Sequence, residues 1–408
     1  MSVTYICLAT INIAQHGFTS SENRAYFRSC RPGETNLWRR TSVPFSPVVT
    51  HWSYAFIMHS FDRFKHVVNT TYPIIQAPML GVSNPKLAAA VSNAGGLGSI
   101  AVSSSNPEKS RDQIRHIRTL TEKPFNVNIF CHRPASFDKN REKAWLAFVA
   151  PLFGEFNANP PSALTNIYSS FVEDPAWLSI MIEERPPVVS FHFGTPPREL
   201  VSALQAEGIS VFVTATTPEE AAKIEAAGAD AIVAQGSEAG GHRGVFEPEA
   251  GDQCIGVMPL TRLLVKQCSI PVIASGGIMD GQGIRAAFEL GASAVQMGTA
   301  FVLCPESSAS PSYRAALLRA TETALSVTVS GRVARGIPNR SFIDPSTSNI
   351  PPLPDYPYPY SATKALQAVA NKNGNHDFDA LWAGQGAPLA REMPAAELVQ
   401  TLWNETNH

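Results

Sequence analysis

SVFVTATTPEEAAKIEAAGADAIVAQG, residues 210–236, holds one complete unit of the chain's architecture. Ser210–Ala215 is apolar or β-branched almost throughout, as a strand buried on both faces requires. Pro218–Ala227 reads as a helix that stops beside Gly228, a residue free to take the left-handed cap. Ala231–Gln235 is a second apolar strand, and it runs into the polar, glycine-rich loop Gly236–Gly244. Strand, helix and parallel strand in 27 residues is the repeating unit of an α/β fold.

The theme recurs on both sides of this stretch. Apolar runs bounded by Gly, Pro or small polar residues predict further strands at Ile74–Pro78, Gly98–Val102, Phe125–Phe130, Val188–Phe193, Pro271–Ser275 and Ala294–Gly298. Helices are predicted at Pro85–Ala94, Arg198–Glu207 and Gly281–Leu290, each near a terminal glycine. Eight strand-helix units close into a (β/α)8 TIM barrel, whereas an open doubly wound sheet usually stops at about five or six strands behind a single glycine fingerprint. Two long insertions, residues 131–187 and 328–362, interrupt the spacing, and both are proline-rich in part. Barrel function lives on loops at the carboxyl ends of strands, so these segments are candidate substrate-covering elements of one domain spanning residues 65–405. Pro388–Trp403 reads as a terminal packing helix.

Composition narrows the partners. Apolar residues make up 44% and charged residues 16% of the chain, and the net charge of -2 comes without a block of one sign. Nothing in that balance attracts nucleic acid or anionic lipid, so a small molecule is the expected partner of a monomer or homodimer. No run reaches the roughly 20 apolar residues of a membrane helix. Cys7, Cys30, Cys131, Cys254, Cys268 and Cys304 are dispersed, without a CxxC pair, and read as free thiols of a cytoplasmic protein. Residues 1–60 carry Arg24, Arg28, Arg31, Arg39 and Arg40 against Glu22 and Glu34. That segment reads as an unstructured leader or an extension upstream of Met58, with a weak mitochondrial-transit character as the other reading.

The chemistry-bearing residues fall where a barrel presents its site. After the sixth strand comes Gln235-Gly236-Ser237-Glu238-Ala239-Gly240-Gly241-His242-Arg243-Gly244, in which backbone can approach a ligand closely and a histidine can donate, accept or titrate. After the seventh and eighth come Ser275-Gly276-Gly277-Ile278 and Gln296-Met297-Gly298-Thr299. Loops at those two places form the usual phosphate cradle of barrel enzymes, although glycines there also make plain strand-helix turns. Met79 after strand one and the amides of Asn126 and Asn128 on strand three can meet a flat heterocycle, and flavin mononucleotide satisfies phosphate, ring and amides together. His192 either lines the same mouth or is a satisfied core histidine. Tyr356, Tyr360 and Lys364 recur at intervals of four, placing Tyr360 and Lys364 on one face of a helix begun at Pro359 and suiting an anionic substrate, or else a surface turn. His132, His192 and His242 lack metal-ligand spacing, and no GxSxG hydrolase elbow is present.

These motifs, in this order, resemble the nitronate monooxygenase family, class I branch, over roughly residues 65 to 405. Gln76-Ala77-Pro78-Met79, Asn126-Val127-Asn128, Phe191-His192-Phe193-Gly194, the Gln235–Gly244 loop, Ser275-Gly276-Gly277-Ile278 and Gln296-Met297-Gly298-Thr299-Ala300-Phe301 carry the resemblance. It implies FMN held by Asn128, Gln235, Gly240, Gly277, Gln296, Met297, Gly298 and Thr299, with Met79 beside the ring. It implies catalysis by His242 with His192 on the substrate side, and substrate binding by Tyr356, Tyr360 and Lys364. The implied reaction is oxidation of alkyl nitronates, propionate 3-nitronate first among them, by O2 to a carbonyl compound and nitrite. His242, at an unperturbed pKa of about 6.5, is also expected to deprotonate neutral nitroalkanes. The scaffold equally suits a flavin-dependent NAD(P)H:quinone or enoyl-acyl-carrier-protein reductase, or a non-catalytic phosphate-binding barrel.

Overall fold

The computed structural model describes residues 61–102, 106–343 and 349–407. The predicted leader, and with it Cys7 and Cys30, lies outside the described residues. Eight strands run parallel: β1 (Ile74–Gln76), β2 (Gly98–Ala101), β3 (Phe125–Phe130), β4 (Val188–His192), β5 (Ser210–Ala215), β6 (Ala231–Gln235), then β8 (Val272–Ser275) and β9 (Ala294–Met297). Their order around the sheet is β1-β9-β8-β6-β5-β4-β3-β2. A bridge at Ile75–Leu97 joins the two ends, with Leu97 N donating to the Ile74 carbonyl at 2.9 Å. The sheet is therefore a closed (β/α)8 barrel, and all eight predicted strands are present.

The period-2 alternation of a strand divides the apolar residues between two layers. Val127, Ile129, Val189, Phe191, Val211 and Val213 face the helices, where they meet Ile114, Trp177, Leu204 and Ile224. Val188, Phe212, Ala231, Ile273 and Ala294 turn inward and fill the barrel floor. Phe61, Phe64 and Val68 join that floor, Phe64 fully buried and 6.1 Å from the Phe212 ring. Residues 61–67 are helical, a plug that the sequence reading did not foresee.

Helices Pro85–Asn93, Arg198–Ala206, Pro218–Ala227 and Gly281–Glu289 match their predicted bounds to within one residue. Gly95, Gly208, Gly228 and Gly291 follow them at φ +98°, +76°, +88° and +96°, the left-handed conformation that ends a helix at little cost only for glycine. Helices Pro107–Leu120, Ala176–Glu184 and Val257–Gln267 fill the remaining gaps between strands. The first buries only Ser110, Ile114 and Ile117, a stripe too narrow to read from periodicity. The terminal helix is Ala395–Thr406, seven residues later in onset than predicted, because Pro394 sits at its N-cap.

The two insertions pack together. Trp145, Val149 and Phe153 on helix Lys139–Gly154 meet Ala362, Leu366 and Ala370 on helix Tyr358–Lys372. A second, antiparallel sheet has the order β10 (Ala324–Ser326), β11 (Ala334–Gly336), β7 (Gly241–His242), pairing Ala334 with His242. It fixes the histidine loop from outside the barrel.

Candidate active site

A cavity of about 170 Å³ opens at the carboxyl ends of the barrel strands, an order of magnitude above the roughly 10–15 Å³ that one water requires. Its floor consists of inward-pointing polar side chains from successive strands: Asn128, Ser190, Thr214, Gln235, Ser275 and Gln296. The first and fourth are tied down. Asn128 Nδ2 donates to Ser190 Oγ at 2.9 Å, while Gln235 Oε1 accepts from Gly244 N at 2.8 Å and its Nε2 donates to the His242 carbonyl at 2.9 Å. Gln235 thus shapes the loop as well as lining the cavity.

One border is built from backbone. Gly240, Gly276, Gly277 and Gly298 line it together with Thr299, whose Oγ1 accepts from Gly384 N at 2.9 Å. A Cβ on Gly240 would lie 2.6 Å from the Ala383 carbonyl carbon, so the chain can cross there only as glycine. Met79 Sδ stands 3.6 Å from where a Gly298 Cβ would project. Glycine backbone at the ends of β8 and β9, a thioether beside it and amides beneath it suit a flat ligand bearing a phosphate.

The other border is aromatic. His242 projects from β7, and its Nε2 lies 2.8 Å from Ser330 Oγ, which donates to the Arg332 carbonyl at 3.2 Å. A hydroxyl with its proton so committed accepts from Nε2–H, leaving the lone pair on Nδ1. His192 Nε2 donates to the His242 carbonyl at 3.1 Å. Both imidazoles are half-buried, open to the cavity but otherwise enclosed by protein. Burial, then the neighbouring His192 and Arg332, push His242 down to about 3; burial pushes His192 down to about 4. Both are neutral near pH 7. Around them stand Tyr356 and Tyr360, with ring centroids 5.7 and 6.1 Å from that of His242. Burial raises both phenols above the usual tyrosine value, so they remain protonated donors.

Residues 62–405 match the family described as nitronate monooxygenase. The chain belongs to that family. It is 67% identical to the nitronate monooxygenase of Pseudomonas aeruginosa over 84% of this chain and 99% of the relative. Identity is 53% to the nitronate monooxygenase of Paraburkholderia phytofirmans, over 82% and 92% of the two chains. The solved nitroalkane oxidase of Streptomyces ansochromogenes superposes with a TM-score of 0.76 at 37% identity, covering 85% of this chain and 98% of that one.

Of the residues expected from the nitronate monooxygenase resemblance, Met79, Asn128, His192, Gln235, Gly240, His242, Gly277, Gln296, Met297, Gly298, Thr299, Tyr356 and Tyr360 all line the one cavity. Lys364 does not. Its Nζ donates to Tyr168 Oη at 2.6 Å and lies 5.2 Å from the Tyr360 ring centroid, behind the lining. Asn126 is also absent from the lining, one layer deeper, with Nδ2 on Ser99 Oγ at 3.2 Å. Sequence reasoning missed Tyr168, Tyr313 and Trp382, which complete the aromatic border. Tyr168 comes from the first insertion, and the Tyr313 hydroxyl donates to the Trp382 carbonyl. Their only sequence signal is membership in long segments that the barrel does not need.

Proposed function

We propose that the chain oxidises alkyl nitronates with FMN and O2, releasing a carbonyl compound and nitrite. The observation that carries this reading is a single cavity bordered by glycine turns after β8 and β9 and by neutral imidazoles and phenols, with no carboxylate in its lining. Gly277, Gln296, Met297, Gly298 and Thr299 would hold the FMN phosphate side, and Asn128, Gln235, Gly240 and Met79 the ring side. When bound, FMN supplies the redox chemistry, accepting reducing equivalents from the nitronate. The chain's own groups do the rest. Tyr356 and Tyr360 offer protonated hydroxyls to an anionic nitro oxygen, and the aromatic wall excludes bulk water, which strengthens those bonds.

His242 is a hydrogen-bonding partner more than a base. An imidazole pushed down to about 3 takes a proton from a neutral nitroalkane poorly, since efficient general bases titrate near the working pH. This moves the expected preference toward substrate that arrives already ionised. Lys364 enters through Tyr168, whose hydroxyl oxygen accepts the ammonium proton and whose own proton is left for the cavity.

The test is nitrite release and O2 consumption by the flavin-loaded protein with propionate 3-nitronate and with neutral nitroethane. Turnover of the nitronate well above that of nitroethane is expected. No nitrite from either substrate sinks the proposal, and anaerobic flavin bleaching by NADH or NADPH would mark a reductase instead.

A further inference from the structure

Two arginines near the histidine loop are buried in different ways. Arg243, 1% exposed, is paired with Asp252 at 2.6 Å. Arg332, 6% exposed on the turn between β10 and β11, has no carboxylate within ion-pair distance among the described residues. Its Nη1 donates to the Val245 carbonyl at 2.8 Å. Its guanidinium carbon stands 4.5 Å from the Phe193 ring centroid and 5.6 Å from that of Tyr356. The acids that face it, Glu247 and Glu249, are exposed and engaged by Arg133. The other titratable groups near it are the imidazoles of His132, His192 and His242, whose charged forms it opposes, and the phenol of Tyr356, whose anion it favours.

A buried cation without a counter-charge is unfavourable, and ring faces compensate it only partly. Here the two rings are the back of the cavity wall. Tyr356 lines the cavity with a buried hydroxyl that has no partner, and Phe193 meets His242 edge-on at 5.6 Å. The cavity itself has neither cation nor carboxylate in its lining. An anion bound there would add to the counter-charge of Glu247 and Glu249, which Arg133 already engages.

We infer that Arg332 is a positioning residue for substrate charge: acting through Tyr356 and Phe193 without touching the ligand, it makes the cavity favour a nitronate anion over its neutral parent. This rests on the nitronate reading above and names the device that enforces it. Burial lowers Arg332 to about 10, which leaves it charged at neutral pH.

The experiment compares anionic and neutral ligands on flavin-loaded protein. Nitrate, a planar anion, is titrated calorimetrically; neutral nitroethane is measured as an inhibitor of ethyl nitronate turnover. Arg332→Met should weaken nitrate and raise the nitronate KM by about tenfold, equivalent to about 1.4 kcal/mol, while leaving nitroethane binding within about twofold. Arg332→Lys, which keeps the charge, should restore nitrate binding. Parallel weakening of both ligands, or unchanged nitrate binding, overturns the inference. Should Arg332→Met fail to fold, Arg332→Gln carries the same comparison. Wild type decides independently, since nitrate bound no tighter than nitroethane also overturns it. Failure of the functional reading is separate: it shows as no nitrite from ethyl nitronate, while nitrate titration still judges Arg332.

Discussion

Asp252→Ala should destabilise the protein by about 3 kcal/mol, and the reasoning starts from what the Arg243 guanidinium touches. Nη1 donates to the Gly236 carbonyl at 2.8 Å, to the Gln235 carbonyl at 3.0 Å and to Gln235 Oε1 at 3.1 Å. Nε and Nη2 have Asp252 alone, at 2.6 and 3.3 Å. Removing the carboxylate strands a charge that is 1% exposed, a change that costs about 3–5 kcal/mol when one partner of a buried pair is deleted. The lower end applies because Nη1 keeps its acceptors and the exposed neighbour Gly251 can admit water to the emptied space. Unfolding entropy of about 2.1 cal/mol/K per residue over roughly 350 residues converts about 3 kcal/mol into a Tm loss of about 4 °C. Differential scanning calorimetry of the flavin-loaded protein measures it. The double variant Arg243→Met/Asp252→Leu, which removes both charges, should recover most of the loss. A loss under about 1 kcal/mol for Asp252→Ala, the range of solvent-exposed pairs, would refute the argument, because it would mean that the pair is hydrated despite its burial.

Three further outcomes are expected. Gly244→Ala places a Cβ 2.8 Å from Thr214 Cγ2 and 2.9 Å from His192 Cε1; nitronate turnover should fall about tenfold through displacement of the His192 ring, with flavin content retained, and an unchanged kcat/KM would contradict it. Both cavity imidazoles are held below their unfolded value, so the unfolded chain binds protons near pH 6.5 that the folded chain refuses. Stability should then fall as pH drops from about 6.5 toward 4, by up to about 1.4 kcal/mol per pH unit for each imidazole; denaturant titrations in which a His192→Asn/His242→Asn variant keeps the wild-type slope would disprove this. Lys364→Met and Tyr168→Phe should be non-additive in nitronate KM, because the first acts through the second, and strict additivity would separate them.

What the sequence revealed and what it withheld divide along sequence separation. The eight strands were legible because each is buried on both faces and stopped by Gly, Pro or a small polar residue, a signal contained within five or six residues. Gly240, Gly277 and the Gln296–Thr299 run were legible because a closed barrel sends the ends of β6, β8 and β9 to the same rim, so position along a strand already implied a shared site. The aromatic border follows a different logic. Tyr168 meets Lys364 across 196 residues of chain and Tyr313 meets Trp382 across 69, and no local pattern records either meeting. The period-four spacing of Tyr356, Tyr360 and Lys364 correctly aligned Tyr360 with Lys364 on one helix face. It carried no information on depth, and the helix Tyr358–Lys372 is packed so that Tyr360 reaches the cavity while Lys364 ends on Tyr168. His242 was legible as a residue, whereas its surroundings were not. The expectation of a pKa near 6.5 assumed solvent, whereas β7 pairs with β11 and draws the imidazole against Arg332, Phe193 and Tyr356. The second sheet thereby helps hold the histidine neutral near pH 7, which is the ground for expecting the site to select on the charge the substrate already carries.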